Sequence, residues 1–171
     1  MRFLTIQRHA HASPAAAGQS DYERPLSERG RTQCAQLREW VLDERALGAY
    51  GPVTALVSAA VRTRETFRRA VQDTPFVGVV HESELIYNGR REVSAEDLLI
   101  DLAAIDPVTT SLLVVAHNPT VEELLFSLAE VVPESVRREG FPVGGAFVLA
   151  LRENEQIGLA RYPVVAQYVP D

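Results

Sequence analysis

Five consecutive aliphatic residues, Leu112-Leu113-Val114-Val115-Ala116, run directly into His117-Asn118-Pro119. A strand with one wet face alternates apolar and polar side chains. An unbroken run therefore demands cover on both faces, as for a central strand of a mostly parallel sheet. Two further apolar segments, Phe3 to Gln7 and Thr54 to Ser58, read as strands, and Val77 to Val80 as a weaker one. Near the carboxyl end, Ala146 to Leu151 and Ile157 to Arg161 flank the turn-like Arg152-Glu153-Asn154-Glu155-Gln156, which predicts a hairpin or antiparallel edge.

Helical patterns fill the intervals. Ser27 is placed to cap a helix running to about Leu47, with Cys34, Leu37, Val41 and Leu42 on one face and Gly48 and Gly51 beyond its end. Another runs from about Arg62 to Val71. Ser94-Ala95-Glu96-Asp97 has the form of a capping box, with Asp where Glu or Gln is usual, ahead of Leu98, Leu99, Leu102 and Ile105; Pro107 closes that helix. A further helix begins near Asn118-Pro119-Thr120, with Pro suited to the first helical position, and buries Val121, Leu124, Leu125 and Leu128. The polar stretch from His11 to Pro25 follows neither period and reads as a surface loop. Strands and helices in alternation predict an α/β fold, a three-layer α/β/α sandwich around a mostly parallel sheet with an antiparallel edge. The 171 residues suffice for one such domain, so a single domain over residues 1–171 is expected.

Charge narrows the function. Seventeen Lys and Arg against 23 Asp and Glu give a net charge of −6, which argues against a general nucleic-acid binder or an adhesive for anionic membranes. The single Cys, Cys34, allows no internal disulfide and no cysteine zinc set; it reads as a core residue, and a reducing, cytoplasmic setting is expected. The four apolar positions before Gln7-Arg8 are too few for a signal peptide, and no apolar run approaches the ~20 residues of a membrane span.

The unusual polar residues fall at strand ends. The first strand runs into Arg8-His9, the second into Ser58 with Arg62 just beyond, and the third into His117-Asn118. In an open parallel sheet the carboxyl ends share one edge, where ligands bind, so two Arg and two His converge there. Such a cluster in an acidic chain calls for an anion, because like charges without a partner repel. The planar fork of Arg matches two phosphate oxygens, and helix amino termini after Ser58 and His117 add backbone N–H groups. With the phosphate charge neutralised, a neutral imidazole whose second nitrogen is held by a hydrogen bond can attack phosphorus. A second His can steady the oxygens of the transition state.

Arg8-His9-Ala10 after a first strand resembles the Arg-His-Gly signature of the histidine phosphatase (phosphoglycerate mutase-like) superfamily. Asp21-Tyr22-Glu23-Arg24-Pro25-Leu26-Ser27-Glu28-Arg29-Gly30, Ser58-Ala59-Ala60-Val61-Arg62-Thr63-Arg64-Glu65-Thr66 and Val114-Val115-Ala116-His117-Asn118-Pro119 are similar to segments of its small SixA-type phosphohistidine phosphatase branch. So are Leu85-Ile86-Tyr87 and Phe141-Pro142-Val143-Gly144-Gly145, in the same order along nearly the whole chain. The resemblance implies a phosphoglycerate mutase-like fold and a covalent phosphohistidine intermediate on His9. It implies Arg8, Arg62 and His117 as the phosphate pocket, and no metal. Asn118 and Arg24 are further phosphate-binding candidates, Arg24 resembling a recurrent residue of that branch and reading equally as a loop ion pair, and no cofactor is expected.

The chain departs from the wider pattern in three ways. Ala10 stands for the signature Gly, Ala59 for a Pro common after the Ser, and no motif surrounds the candidate proton donors Glu82 and Glu84, of which Glu84 is preferred. An alkoxide leaving group needs an acid, whereas imidazole, with an unperturbed pKa of ~6.5, leaves readily once its other nitrogen is protonated. The expected activity is therefore protein phosphohistidine hydrolysis, on a phosphohistidine-bearing protein or a small phosphorylated substrate. The alternatives are a broad small-molecule phosphomonoesterase using Glu84 and a phosphoprotein-binding module with negligible turnover. The remaining polar residues have plainer readings. His11 forms His-x-His with His9 but has no third ligand at metal spacing. His81 reads as a solvated strand end, Trp40 as packing, and Arg64, Arg68 and Arg69 as a solvated helix face.

Overall fold

The computed structural model describes residues 2–43, 52–87, 89, 92–105, 109, 111–153 and 155–170. Six strands form one sheet: β1 (Arg2–Arg8), β2 (Val53–Ser58), β3 (Val77–Ser83), β4 (Ser111–Ala116), β5 (Ala146–Leu151) and β6 (Val164–Tyr168), in the order β3-β2-β4-β1-β5-β6. The first four in that order run parallel, and β5 pairs antiparallel with both β1 and β6. The aliphatic run that demanded cover on both faces lies on β4, between β2 and β1, and all six residues of β4 are buried.

The register shows why. Val114 stands between Leu56 and Ile6, and Ile6 faces Phe147, so these four side chains form one apolar row across the sheet. That row packs against Leu102 of α3 (Ala95–Ala104), Val121 and Leu124 of α4 (Thr120–Leu128) and Val136 of α5 (Glu134–Glu139). The next row points the other way: Val57, Val115 and Ala146 meet Leu37 and Val41 of α1 (Glu28–Leu42) and Phe67 of α2 (Val61–Phe67). Full burial of each such aliphatic side chain contributes about 1.5–3 kcal/mol, so the centre of the sheet is its most rigidly specified part.

Caps follow the local chemistry. Ser27 Oγ accepts from Gly30 N at the start of α1, and Ser94 with Asp97 forms the capping box of α3. Several boundaries differ from expectation. The helix begun at Ser27 closes at Leu42, with Asp43 as its C-cap, and Leu42 is exposed; residues 44–47 lie outside the described residues, as does Pro107. Pro119 is the N-cap of α4 and not its first residue. The expected helix from Arg62 to Val71 begins at Val61 and finishes in a wider π turn, Arg68–Gln72. The weak strand at Val77 extends to Ser83 as an exposed edge.

The one misplaced strand is the last. Ile157 to Arg161 is not the partner of β5: Ile157 drops into the core, and Gly158 at φ +97° turns the backbone away from an extended path. The partner is β6, whose alternation of half-buried and exposed residues fits an edge. Short α5 and a 3-10 turn at Asp21–Glu23, inside the His11–Pro25 loop, complete the described elements.

Candidate active site

One residue beyond the central rows, β1, β2 and β4 end on the same edge of the sheet, and Arg8, His9, Ser58, Arg62 and His117 gather there. The backbone of His9 is clamped from both sides: its N–H donates to Ala116 O at 3.1 Å, and its carbonyl accepts from Gly144 N at 3.0 Å. A strand end and the loop before β5 thus fix the imidazole's origin.

Hydrogen bonding fixes the tautomer of each ring. A carbonyl only accepts, so His9 Nδ1, 2.8 Å from Ala10 O, carries the proton and leaves Nε2 a lone pair, which accepts from Arg62 Nε at 3.2 Å. A guanidinium only donates, so His117 Nδ1, 3.3 Å from Arg62 Nη2, is the acceptor, and His117 Nε2 donates to Ser58 Oγ at 2.8 Å. The two rings lie 5.0 Å apart, with Arg62 facing the unprotonated nitrogen of each.

Electrostatics keep both rings neutral. Burial pushes His9 down to about 3, helped by Arg62, Arg8 and Arg24 and opposed by the Ala10 carbonyl. Burial pushes His117 down to about 2, with His9 and Arg62 acting in the same direction. Arg8 Nη1 donates to Phe141 O at 2.6 Å, and its buried Nε has no hydrogen-bond partner. Phe141 is held in turn: its N–H donates to Glu122 Oε2 at 2.7 Å, and Asn118 Nδ2 donates to the same oxygen at 2.9 Å. Asn118 thus steadies the loop that holds Arg8.

Arg24 sits further out, donating from Nε to Ser13 O at 2.8 Å and pairing through Nη1 with Asp21 Oδ1 at 2.7 Å. Glu84 is exposed, and its backbone carbonyl accepts from Tyr87 N; Glu82 faces Arg64 at 3.9 Å. Among the described residues no hydrogen bond or ion pair joins either carboxylate to His9 or His117. His11 Nδ1 pairs with Ser27 Oγ at 2.8 Å, away from His9, and among the described residues no group of three or more His, Cys, Asp or Glu is placed to hold a metal ion. Trp40 packs on Tyr168, and Cys34 is buried, its thiol pushed up to about 11 by that burial.

Two residues without an assigned role in the sequence reading reach the site. Asp21 accepts from Arg62 through both its carboxylate and its carbonyl, and Tyr87 donates its hydroxyl to Asp21 Oδ2 at 2.9 Å while its ring stands edge-on to His117. Both lie inside segments that carry the family resemblance, and the spacing of Asp21 and Arg24, three residues apart, suits an ion pair.

The sheet has the phosphoglycerate mutase-like fold, shared with the solved structures this chain resembles. Among solved structures the chain is similar to SixA of Agrobacterium tumefaciens (26% identity, 99% of each chain covered, TM-score 0.77). It is also similar to SixA of Nakamurella multipartitia (23% identity, 99% of this chain and 96% of the other, TM-score 0.77). A third match is the protein histidine phosphatase SixA solved with tungstate (21% identity, 98% and 96% covered, TM-score 0.73). No protein-family model and no curated protein matches the chain. No described helix is long and apolar enough to cross a membrane.

Proposed function

We propose that this chain is a phosphohistidine phosphatase that acts through a covalent intermediate on His9, with a histidine-phosphorylated protein as substrate and the cytoplasm as its setting. The observation that carries the reading is the tautomer of His9: Nδ1–H is committed to Ala10 O, and the Nε2 lone pair faces the guanidinium of Arg62. A phosphoryl group between His9 and His117 takes the place of those contacts, its oxygens bound by Arg62, by the unpartnered Nε of Arg8 and by His117.

In the first step His9 Nε2 attacks phosphorus, and the electron pair of the scissile P–N bond passes to the leaving imidazole, whose other nitrogen already carries a proton. In the second, water attacks phospho-His9, the P–N pair returns to Nε2, and the water proton leaves with phosphate. His9 Nδ1–H stays on Ala10 O throughout. The two guanidinium groups supply the positive charge that the transition state requires, so the scheme runs without a metal.

The exposed position of Glu84 favours this substrate over an alkyl phosphate, whose leaving group needs an acid worth about 10²–10⁴ in rate. The test compares wild type with His9→Ala on a histidine-phosphorylated protein, an aryl phosphate and an alkyl phosphate, each with and without chelator. Fastest turnover of the phosphoprotein, an acid-labile phosphoryl group trapped on His9 and loss of both in His9→Ala are expected. Faster alkyl phosphate turnover would select the broad phosphomonoesterase, tight phosphoprotein binding without turnover would select a binding module, and abolition by chelator would overturn the metal-free scheme.

A further inference from the structure

A guanidinium is a flat plate with two usable edges, and Arg62 uses both. The side edge, Nε with one Nη2 proton, faces His9 Nε2 at 3.2 Å and His117 Nδ1 at 3.3 Å, where the phosphoryl group belongs. The far edge is gripped by a single residue: Nη1 donates to the main-chain carbonyl of Asp21 at 2.7 Å and Nη2 to its Oδ2 at 2.9 Å. Because the plate is rigid, the hold on one edge sets the aim of the other.

Asp21 is itself held. Tyr87 donates to Oδ2 at 2.9 Å, Arg24 Nη1 donates to Oδ1 at 2.7 Å, and Arg24 is tied by Nε to Ser13 O. Tyr22, the next residue in the chain, packs edge-on against Tyr87 with ring centres 5.0 Å apart. Both carboxylate oxygens are thus occupied by protein donors, and those donors hold Asp21 at about 2 although its partial burial works against ionisation. A carboxylate so engaged is no proton donor; it acts through Arg62.

We propose that Asp21 is the positioning residue of the site, aiming the side edge of Arg62 at the phosphoryl group in line with His9, with Tyr87 and Arg24 acting through Asp21 to keep that aim. The proposal rests on the phosphatase reading and extends it to three residues outside the phosphate pocket. The alternative geometry, in which Asp21 competes with phosphate, fits less well, because Asp21 occupies the edge of Arg62 that points away from the two histidines.

A double-mutant cycle separates these possibilities. Asp21→Ala removes the side-chain grip, and Arg62→Lys keeps the charge but has no edge to aim. In the Arg62 background, Asp21→Ala is expected to lower kcat by ~10–100-fold, the size of effect that misplacement by about 1 Å produces. In the Arg62→Lys background the same change should cost less than ~3-fold, since coupled residues are not additive. Tyr87→Phe should reproduce part of the loss, and only with Asp21 present. Affinity for inorganic phosphate, measured by calorimetry, should follow the same pattern. Asp21 is half exposed on a surface turn, so the urea midpoint of Asp21→Ala should stay within the range of a surface change. Losses that multiply independently in the two backgrounds would overturn the proposal, as would phosphate binding equal to or tighter than wild type in Asp21→Ala. If wild type hydrolysed no phosphorylated substrate, the phosphatase reading would fail while the phosphate arm of the cycle still decided the role of Asp21.

Discussion

Keeping two imidazoles neutral under arginines has a measurable consequence for folding. An unfolded histidine titrates at the ordinary value of 6.5, whereas His9 is held at about 3 and His117 at about 2. Below the unfolded pKa the unfolded chain binds a proton that the folded chain refuses, so the folded state loses ground as pH falls through 6.5 toward the folded values. Each fully depressed histidine makes stability fall by about 1.4 kcal/mol per pH unit across that window. Between about pH 7.5 and pH 5 this amounts to about 2 kcal/mol for each ring and about 4 kcal/mol for the pair, a large share of the 5–15 kcal/mol typical of a domain. Asp21 titrates below this interval, since its folded carboxyl lies at about 2 and its ordinary value is 3.8. The assay is urea denaturation at half-unit steps from about pH 5 to pH 7.5 for wild type, His9→Asn, His117→Asn and the double variant. Each single substitution should remove roughly half of the slope attributable to the pair, and the double variant nearly all of it, whatever the substitutions do to stability at neutral pH. A wild-type stability flat over this range, or a slope that survives the double substitution, would refute neutral, desolvated histidines.

Two further outcomes are expected. Gly30→Ala would ordinarily gain ~1 kcal/mol as a helix substitution, but a Cβ at Gly30 overlaps the carbonyl oxygen of His11, so urea denaturation should show a net loss of about 1–3 kcal/mol. Glu84→Gln should leave kcat for a phosphohistidine protein unchanged; a loss of about 10²–10⁴, the worth of a general acid, would restore Glu84 to that role.

What could be read from the sequence divides along physical lines. The aliphatic run on β4, the strand end at Arg8-His9 and the capping serines Ser27 and Ser94 are local signals, and the structure places each element close to where those signals put it. The partner of β5 was not a local matter. Ile157 is apolar because it fills the core from a turn, and only Gly158 hints that the chain cannot stay extended there. The weak alternation of Val164–Tyr168 gains its meaning from pairing with Phe147 and Val148, which the period alone does not reveal.

Asp21 shows the same limit within the site. Its partners Arg62 and Tyr87 lie 41 and 66 residues away along the chain, in elements that meet only after the sheet has formed. Composition gives no such placement, because a net charge of −6 counts the carboxylates without locating them. Yet three guanidinium groups close together repel, and at the effective dielectric of a protein surface two unit charges about 4 Å apart interact by about 4 kcal/mol. A cluster proposed to receive a phosphoryl group needs compensation without it. Asp21 supplies it at Arg62 and Arg24, and Glu122 raises the pKa of Arg8 against the effect of burial. Asp21 lies on the far edge of Arg62, and Glu122 holds the Phe141 turn whose carbonyl accepts from Arg8. At Arg62, balance from the far edge leaves the edge toward His9 and His117 for the proposed anion. The proposed phosphate site of this acidic chain is therefore built from carboxylates as well as arginines.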